Sequence, residues 1–356
     1  MGMLNTAVEI YSMRSSIAAL GVAAAMFLSA APLFADSATR DAPLRLIRTI
    51  ALPAIDGDFD HFGVDLKGNR LFLAAEDHHS VELFDLQSGK PLSSITGFDT
   101  PHSMVLLLDH NQIYVIDGGD GGAARILDAT TYKIKNSIKL TEDADAISYD
   151  AAKHLLYVTN GGKEAHNDFS LVTAIDTDKG ERVGEFRFPS ANLESITLEK
   201  NGPLLYVNAR DKNQIAVFDR AAGMVKAMWQ LKLIQHNTPL ILDEADHRLL
   251  VAGRKPGRFG VVDSDSGKEV VALPAGDDVD DMAYDPAARR IYLACGEGFI
   301  DVFHQTDADH YEELGRVKTL PGAKTGVLVP ELHRYYAVSA RKGKVPATLF
   351  IFEVPM

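Results

Sequence analysis

Five polar residues suited to chemistry recur at intervals of forty-odd positions: Asp60, His102, Asp145, Glu194 and Asp280, with Thr238 and Thr325 completing the series. The residues next to them are His61, Ser103, Ala146, Ser195, Pro239, Asp281 and Gly326. If one such position from each interval meets the others at a common axis, the carboxylates come close together. Like charges held close raise one another's pKa or recruit a cation. Oxygen ligands with one or two imidazoles suit a divalent ion such as Ca, Mn or Zn, and Asp60, His61, His102, Asp145 and Glu194 are the candidate ligands. An ion there could polarise a carbonyl or activate water, with a carboxylate as base. The same residues also suit a plain wet lining, hydrogen-bonded to water and to neighbouring amides. Arg210 and Arg254 recur near the same level and extend the candidate ligand-binding set, together with Asp280 and Asp281.

Other motifs are weaker. Glu76-Asp77-His78-His79 reads as a solvated loop, since two adjacent histidines cannot both face one metal comfortably. Asp117 to Gly122 is glycine-rich but lacks the Gly-Lys-Ser/Thr ending of a phosphate loop. Asp263-Ser264-Asp265-Ser266-Gly267 mimics the start of a calcium loop without its twelfth-position glutamate, and reads as a turn. Basic residues such as Arg210, Arg254, Lys255, Lys324 and Arg341 suggest a face that is acidic over one part and basic over another. No Ser-His-Asp set stands out from the many such residues in turns.

The elements that must position these groups come from a repeated phrase. Its copies are Leu71-Phe72-Leu73, Ile113-Tyr114-Val115, Leu156-Tyr157-Val158, Leu205-Tyr206-Val207, Leu249-Leu250-Val251, Ile291-Tyr292-Leu293 and Tyr335-Tyr336-Ala337. Their central residues are 42, 43, 49, 44, 42 and 44 positions apart. A period in the low forties with short apolar strands predicts a seven-bladed, all-β propeller of four-stranded antiparallel blades. In the third copy, strands are predicted at Ala146–Asp150, Leu155–Thr159, Leu171–Asp176 and Glu181–Phe188. Blade seven lacks a fourth strand of its own after Phe350-Ile351-Phe352-Glu353. The segment 44–52 has strand character and is predicted to complete it, closing the ring and pairing an edge that would otherwise invite aggregation.

Tyr157-Val158-Thr159-Asn160 is the name-giving tetrapeptide of the YVTN-repeat, YncE-like bacterial propellers, and residues 44–356 resemble that family. The resemblance implies an exported protein, mostly without established catalysis. The general plan also resembles the propeller lactonases, which carry metal chemistry, but a repeat motif does not transmit a site.

The chain has 356 residues and a formal charge of -13, from 36 basic and 49 acidic side chains. Such a balance disfavours nucleic acid and anionic lipid as partners. Ile17 to Ser29 is an unbroken apolar and small-residue run, preceded by Arg14 and followed by Ala30-Ala31-Pro32-Leu33-Phe34-Ala35. This matches a cleaved signal peptide over 1–35, too short to span a membrane, with 36–43 as a linker to a single domain over 44–356. Glu9 fits an n-region poorly, which points to Met13 as the natural start. A periplasmic or secreted monomer is expected. Cys295 is the only cysteine, so no intrachain disulfide and no Cys-x-x-Cys-His haem site exists. The expected function is a ligand- or protein-binding scaffold that uses the channel mouth, with no certain cofactor. The alternative is a metal-dependent hydrolase or lyase, lactonase-like, with a divalent ion at the same place.

Overall fold

The computed structural model describes residues 42–355. The expected signal segment and most of the expected linker lie outside them. Seven separate four-stranded antiparallel sheets form the blades of a propeller. Six blades use four strands consecutive in the chain. Blade three is Ile147–Asp150, Leu155–Gly161, Ser170–Asp176 and Glu181–Phe188. Its second and third strands run further than the apolar pattern predicts, because Asn160 pairs with Leu171 and Gly161 with Ser170.

The second strand of each blade is buried on both faces, so it reads as a nearly continuous apolar run rather than an alternation. Its side chains join clusters that bridge neighbouring blades. Tyr114 and Ile116 of blade two pack with Leu156 and Val158 of blade three. Tyr157 and Val172 of blade three pack with Leu205 and Val207 of blade four. Several of the central tyrosines carry a polar tie as well. Tyr114 donates to the Thr177 carbonyl at 3.1 Å, Tyr206 to Ser264 at 3.2 Å and Tyr336 to Leu86 at 2.6 Å. Each acceptor directly follows the aspartate that ends the third strand of the next blade. Buried Arg220 of blade four adds an ion pair to Asp150 of blade three.

Those strand-ending aspartates serve the turns. Asp85 accepts the Ser88 amide at 2.8 Å and Asp263 the Ser266 amide at 2.9 Å. Gly89 and Gly267 then take positive φ, at 69° and 74°, where a side chain would be strained. The calcium-like run at Asp263 is therefore a blade turn.

In blade seven, Thr325–Val329, Arg334–Ser339 and Ala347–Glu353 are joined by Arg45–Leu52 as the outermost strand. Leu52 lies opposite Ala347 and Arg45 opposite Glu353, with a bulge between Leu46 and Arg48. Among the described residues there is no α-helix, only three short 3-10 turns, and no helix is long and apolar enough to cross a membrane.

Candidate functional site at the channel mouth

The first strands of the blades converge on the axis. The recurring polar residues sit at or just before their starts: Asp60 before Phe62–Asp65, His102 in Pro101–Leu107, Asp145 before Ile147–Asp150, Glu194 in Leu193–Leu198 and Asp280 in Val279–Asp285. In blades two, four, five and six the ladder with the second strand is broken at this point. The irregularities fall between Pro101 and Met104, Leu193 and Ile196, Asn237 and Leu240, and Val279 and Met282. A bulge re-aims side chains, and here it coincides with the residues that face the channel.

All seven blades contribute to one cavity of about 230 Å³. Asp60, His61, His102, Asp145, Glu194, Arg210, Arg254 and Asp280 all line it. Asp281 does not: it stands behind His61, accepting from its Nδ1 at 2.8 Å. Two further lining residues, Glu76 and Lys324, fell outside the set expected from sequence. Glu76 holds the same place after its second strand (Arg70–Ala75) as Arg210 does after Leu204–Ala209. The repeat itself therefore carried the signal for Glu76. Lys324 immediately precedes Thr325, a position occupied by apolar residues in most other blades. His78 and His79 do not line the cavity. Thr325 is turned away, donating to the Phe59 carbonyl at 3.2 Å.

Asp60 is the hub of the acidic side. His102 Nδ1 lies 2.6 Å from its Oδ2, and His61 Nε2 lies 3.4 Å from its Oδ1. Burial would raise the Asp60 carboxyl, but the His61 and His102 charges and Lys324 outweigh it and hold the group at about 2. Burial works against the charged imidazole of His102, yet the hydrogen bond to Asp60 and the nearby Asp145 and Glu76 carboxylates lift it to about 10. His61 is likewise raised well above its ordinary value, Asp60 and Asp281 prevailing over burial. Asp145 is pushed up to about 8 by burial and by the Asp60 charge. Burial also raises Glu76 and Glu194.

The cations on the other side are each tied down. Arg210 holds Glu194 at 2.7 Å, Arg254 reaches Asp280 at 3.3 Å, and Lys324 spans Asp58 at 2.9 Å and Asp280 at 3.2 Å. Carboxylates therefore offset those cations locally. An adjoining groove, shared at Glu76 and His102, carries Asp120, Glu142, Asp143 and Glu164. None of these four forms an ion pair among the described residues. Burial and the Glu164 and Glu194 charges push Asp143 up to about 7.

A ring of alternating charge around a small polar cavity can hold a charged ligand by several directional contacts at once. It can also move protons between imidazole and carboxylate. Two sets of ligand atoms converge closely enough to share a metal ion, Asp60–His61–Asp145 and Asp60–Glu76–His102, with the atoms of each set within 4.8 Å of one another.

Fold and site together define the chain as a seven-bladed β-propeller with a polar channel mouth. No family model matches it, and no curated protein matches it in sequence. Solved structures do. It is similar to a chain of Kuenenia stuttgartiensis hydrazine synthase, at 16% identity and a TM-score of 0.69, covering 82% of this chain and 98% of that one. It is also similar to a chain of a mitotic checkpoint complex, at 14% identity and a TM-score of 0.70, covering 99% of this chain and 100% of that one. At such identities the likeness establishes the propeller fold. Propellers host many unrelated functions, so the site must carry the functional argument.

Proposed function

We propose that the chain is an exported propeller of the YVTN-repeat, YncE-like type that acts as a binding module, taking a small charged molecule at the channel mouth. One observation carries the reading: every blade contributes to a single cavity whose lining is almost wholly charged or hydroxylic. A rigid ring of this kind presents fixed polar contacts without needing to rearrange, which lowers the cost of binding. The apolar run at Ile17 to Ser29 supports export to the periplasm or outside the cell.

A thermal-shift screen of small charged compounds, followed by calorimetric titration of the hits, tests the reading. Glu194→Gln and Arg254→Gln should each weaken a true channel-mouth ligand about tenfold or more, the worth of one charge-assisted hydrogen bond. Hits whose affinity ignores both substitutions would sink it.

The convergence of carboxylate and imidazole atoms favours a second reading, a metal-dependent hydrolase or lyase. Elemental analysis of purified protein and assays of Glu194→Ala with His102→Ala test it. Absence of metal together with unchanged ligand affinity in the double variant would rule it out.

A further inference from the structure

His61 is anchored from behind. Its Nδ1 faces Asp281 Oδ1 at 2.8 Å, so the ring donates there, and Asp281 Oδ2 accepts the Gly326 amide at 2.9 Å. The other ring nitrogen, Nε2, is left facing Asp60 Oδ1 at 3.4 Å. Asp145 completes a set with Asp60 and His61 in which one ligand atom from each lies within 4.8 Å of the others. A tetrahedral ion with bonds of about 2.1 Å sets its ligand atoms roughly 3.4 Å apart. The spacing of His61 Nε2 and Asp60 Oδ1 matches that edge. An imidazole that donates one N–H to an outer carboxylate and presents its other nitrogen to inner carboxylates is the arrangement that orients metal-binding histidines.

The second convergent set is the poorer one. His102 spends Nδ1 on Asp60 itself, and its Nε2 edge lies against Gly118, where a Cβ would approach to 2.8 Å. His102 is therefore better placed to orient Asp60 than to bind an ion.

We propose that Asp60, His61 and Asp145 bind one divalent ion of the zinc class, with Asp281 and His102 as positioning residues. An imidazole among the ligands favours zinc, cobalt or manganese over calcium. This rests on the channel mouth being the binding site and names one ligand for it.

The test uses the full chain, stripped with a chelator and dialysed, then titrated with Co²⁺. The expected result is one Co²⁺ per chain with the intense visible bands of four-coordinate cobalt, displaced by Zn²⁺. His61→Gln should weaken binding by about a hundredfold or more. Asp281→Asn should weaken it about ten- to a hundredfold while stoichiometry stays at one, and Asp281→Glu should recover part of the loss. Glu142→Gln, in the neighbouring groove, should leave it unchanged. Asp145→Asn replaces His61→Gln if the latter fails to fold by circular dichroism. No saturable binding, or binding indifferent to His61→Gln and Asp145→Asn, overturns the proposal. If the metal fails while small charged ligands still depend on Glu194 and Arg254, only the metal falls. If both fail, the channel mouth is not the binding site.

Discussion

Asp60 lies between two imidazoles, and that single placement sets the pH behaviour of the site. His102 is raised from 6.5 to about 10 in the folded state. Its charged pair therefore contributes fully below about pH 6.5, and the contribution is lost as pH climbs through 10. Asp60 is lowered from 3.8 to about 2, so its share is present above pH 3.8 and lost as pH falls through 2. Asp145 is raised from 3.8 to about 8, so the folded state loses ground between those values as the unfolded carboxyl ionises first. All three place greatest stability at mildly acidic pH. The melting temperature of the metal-free protein should fall from pH 6 to pH 10, and His102→Gln should flatten the descent. A variant with the same slope as the parent would show that this pair does not govern it.

At the scale of the strand, the repeated phrase does more than fill a core. The hydroxyl at its centre ties one blade to the turn of the next, as Tyr114 does to Thr177 and Tyr206 to Ser264. Tyr114 and Tyr206 are fully buried, so removing either oxygen leaves a buried carbonyl short of a donor. Tyr206→Phe should cost about 1–2 kcal/mol in urea unfolding, against almost nothing for a phenylalanine swap at a solvated tyrosine. A loss below about 0.5 kcal/mol would mean that the tie is not a net contributor. Blade one already has Phe72 at this place. Its core is satisfied by packing against Tyr132, with ring centres 5.9 Å apart.

The whole ring depends on its first described strand. Arg45–Leu52 covers Ala347–Glu353, whose residues from Ala347 to Phe352 are buried. Without it, a long apolar strand would become an open edge, which is a template for aggregation. A chain starting at Pro53 should elute as soluble aggregate, or melt well below the parent, by size-exclusion chromatography and circular dichroism. A monodisperse product with an unchanged melting temperature would refute the closure argument. Radial repetition otherwise leaves only short outer edges. The outer strands carry charge there, as Glu181, Arg182 and Glu185 do in blade three.

Much of this was determined by the sequence alone. Seven blades, their strand order and the level of the polar ring follow from local rules. Apolar runs of strand length, turn aspartates and glycines, and a constant spacing all repeat without needing distant contacts. The same ruler would have reached Glu76, because it lies as far beyond Phe72 as Arg210 lies beyond Tyr206 and Arg254 beyond Leu250. Only the tertiary structure decided which ring residues face the cavity and which stand behind it. Asp280 and Asp281 are neighbours in the chain, yet one lines the channel and the other locks His61. Lys324 reads as surface charge until the fold brings Asp280 of blade six and Asp58, just before blade one, to it. These differences arise where seven strands from distant parts of the chain meet at one axis. Partners there are chosen by geometry across blades, which no spacing within a blade encodes.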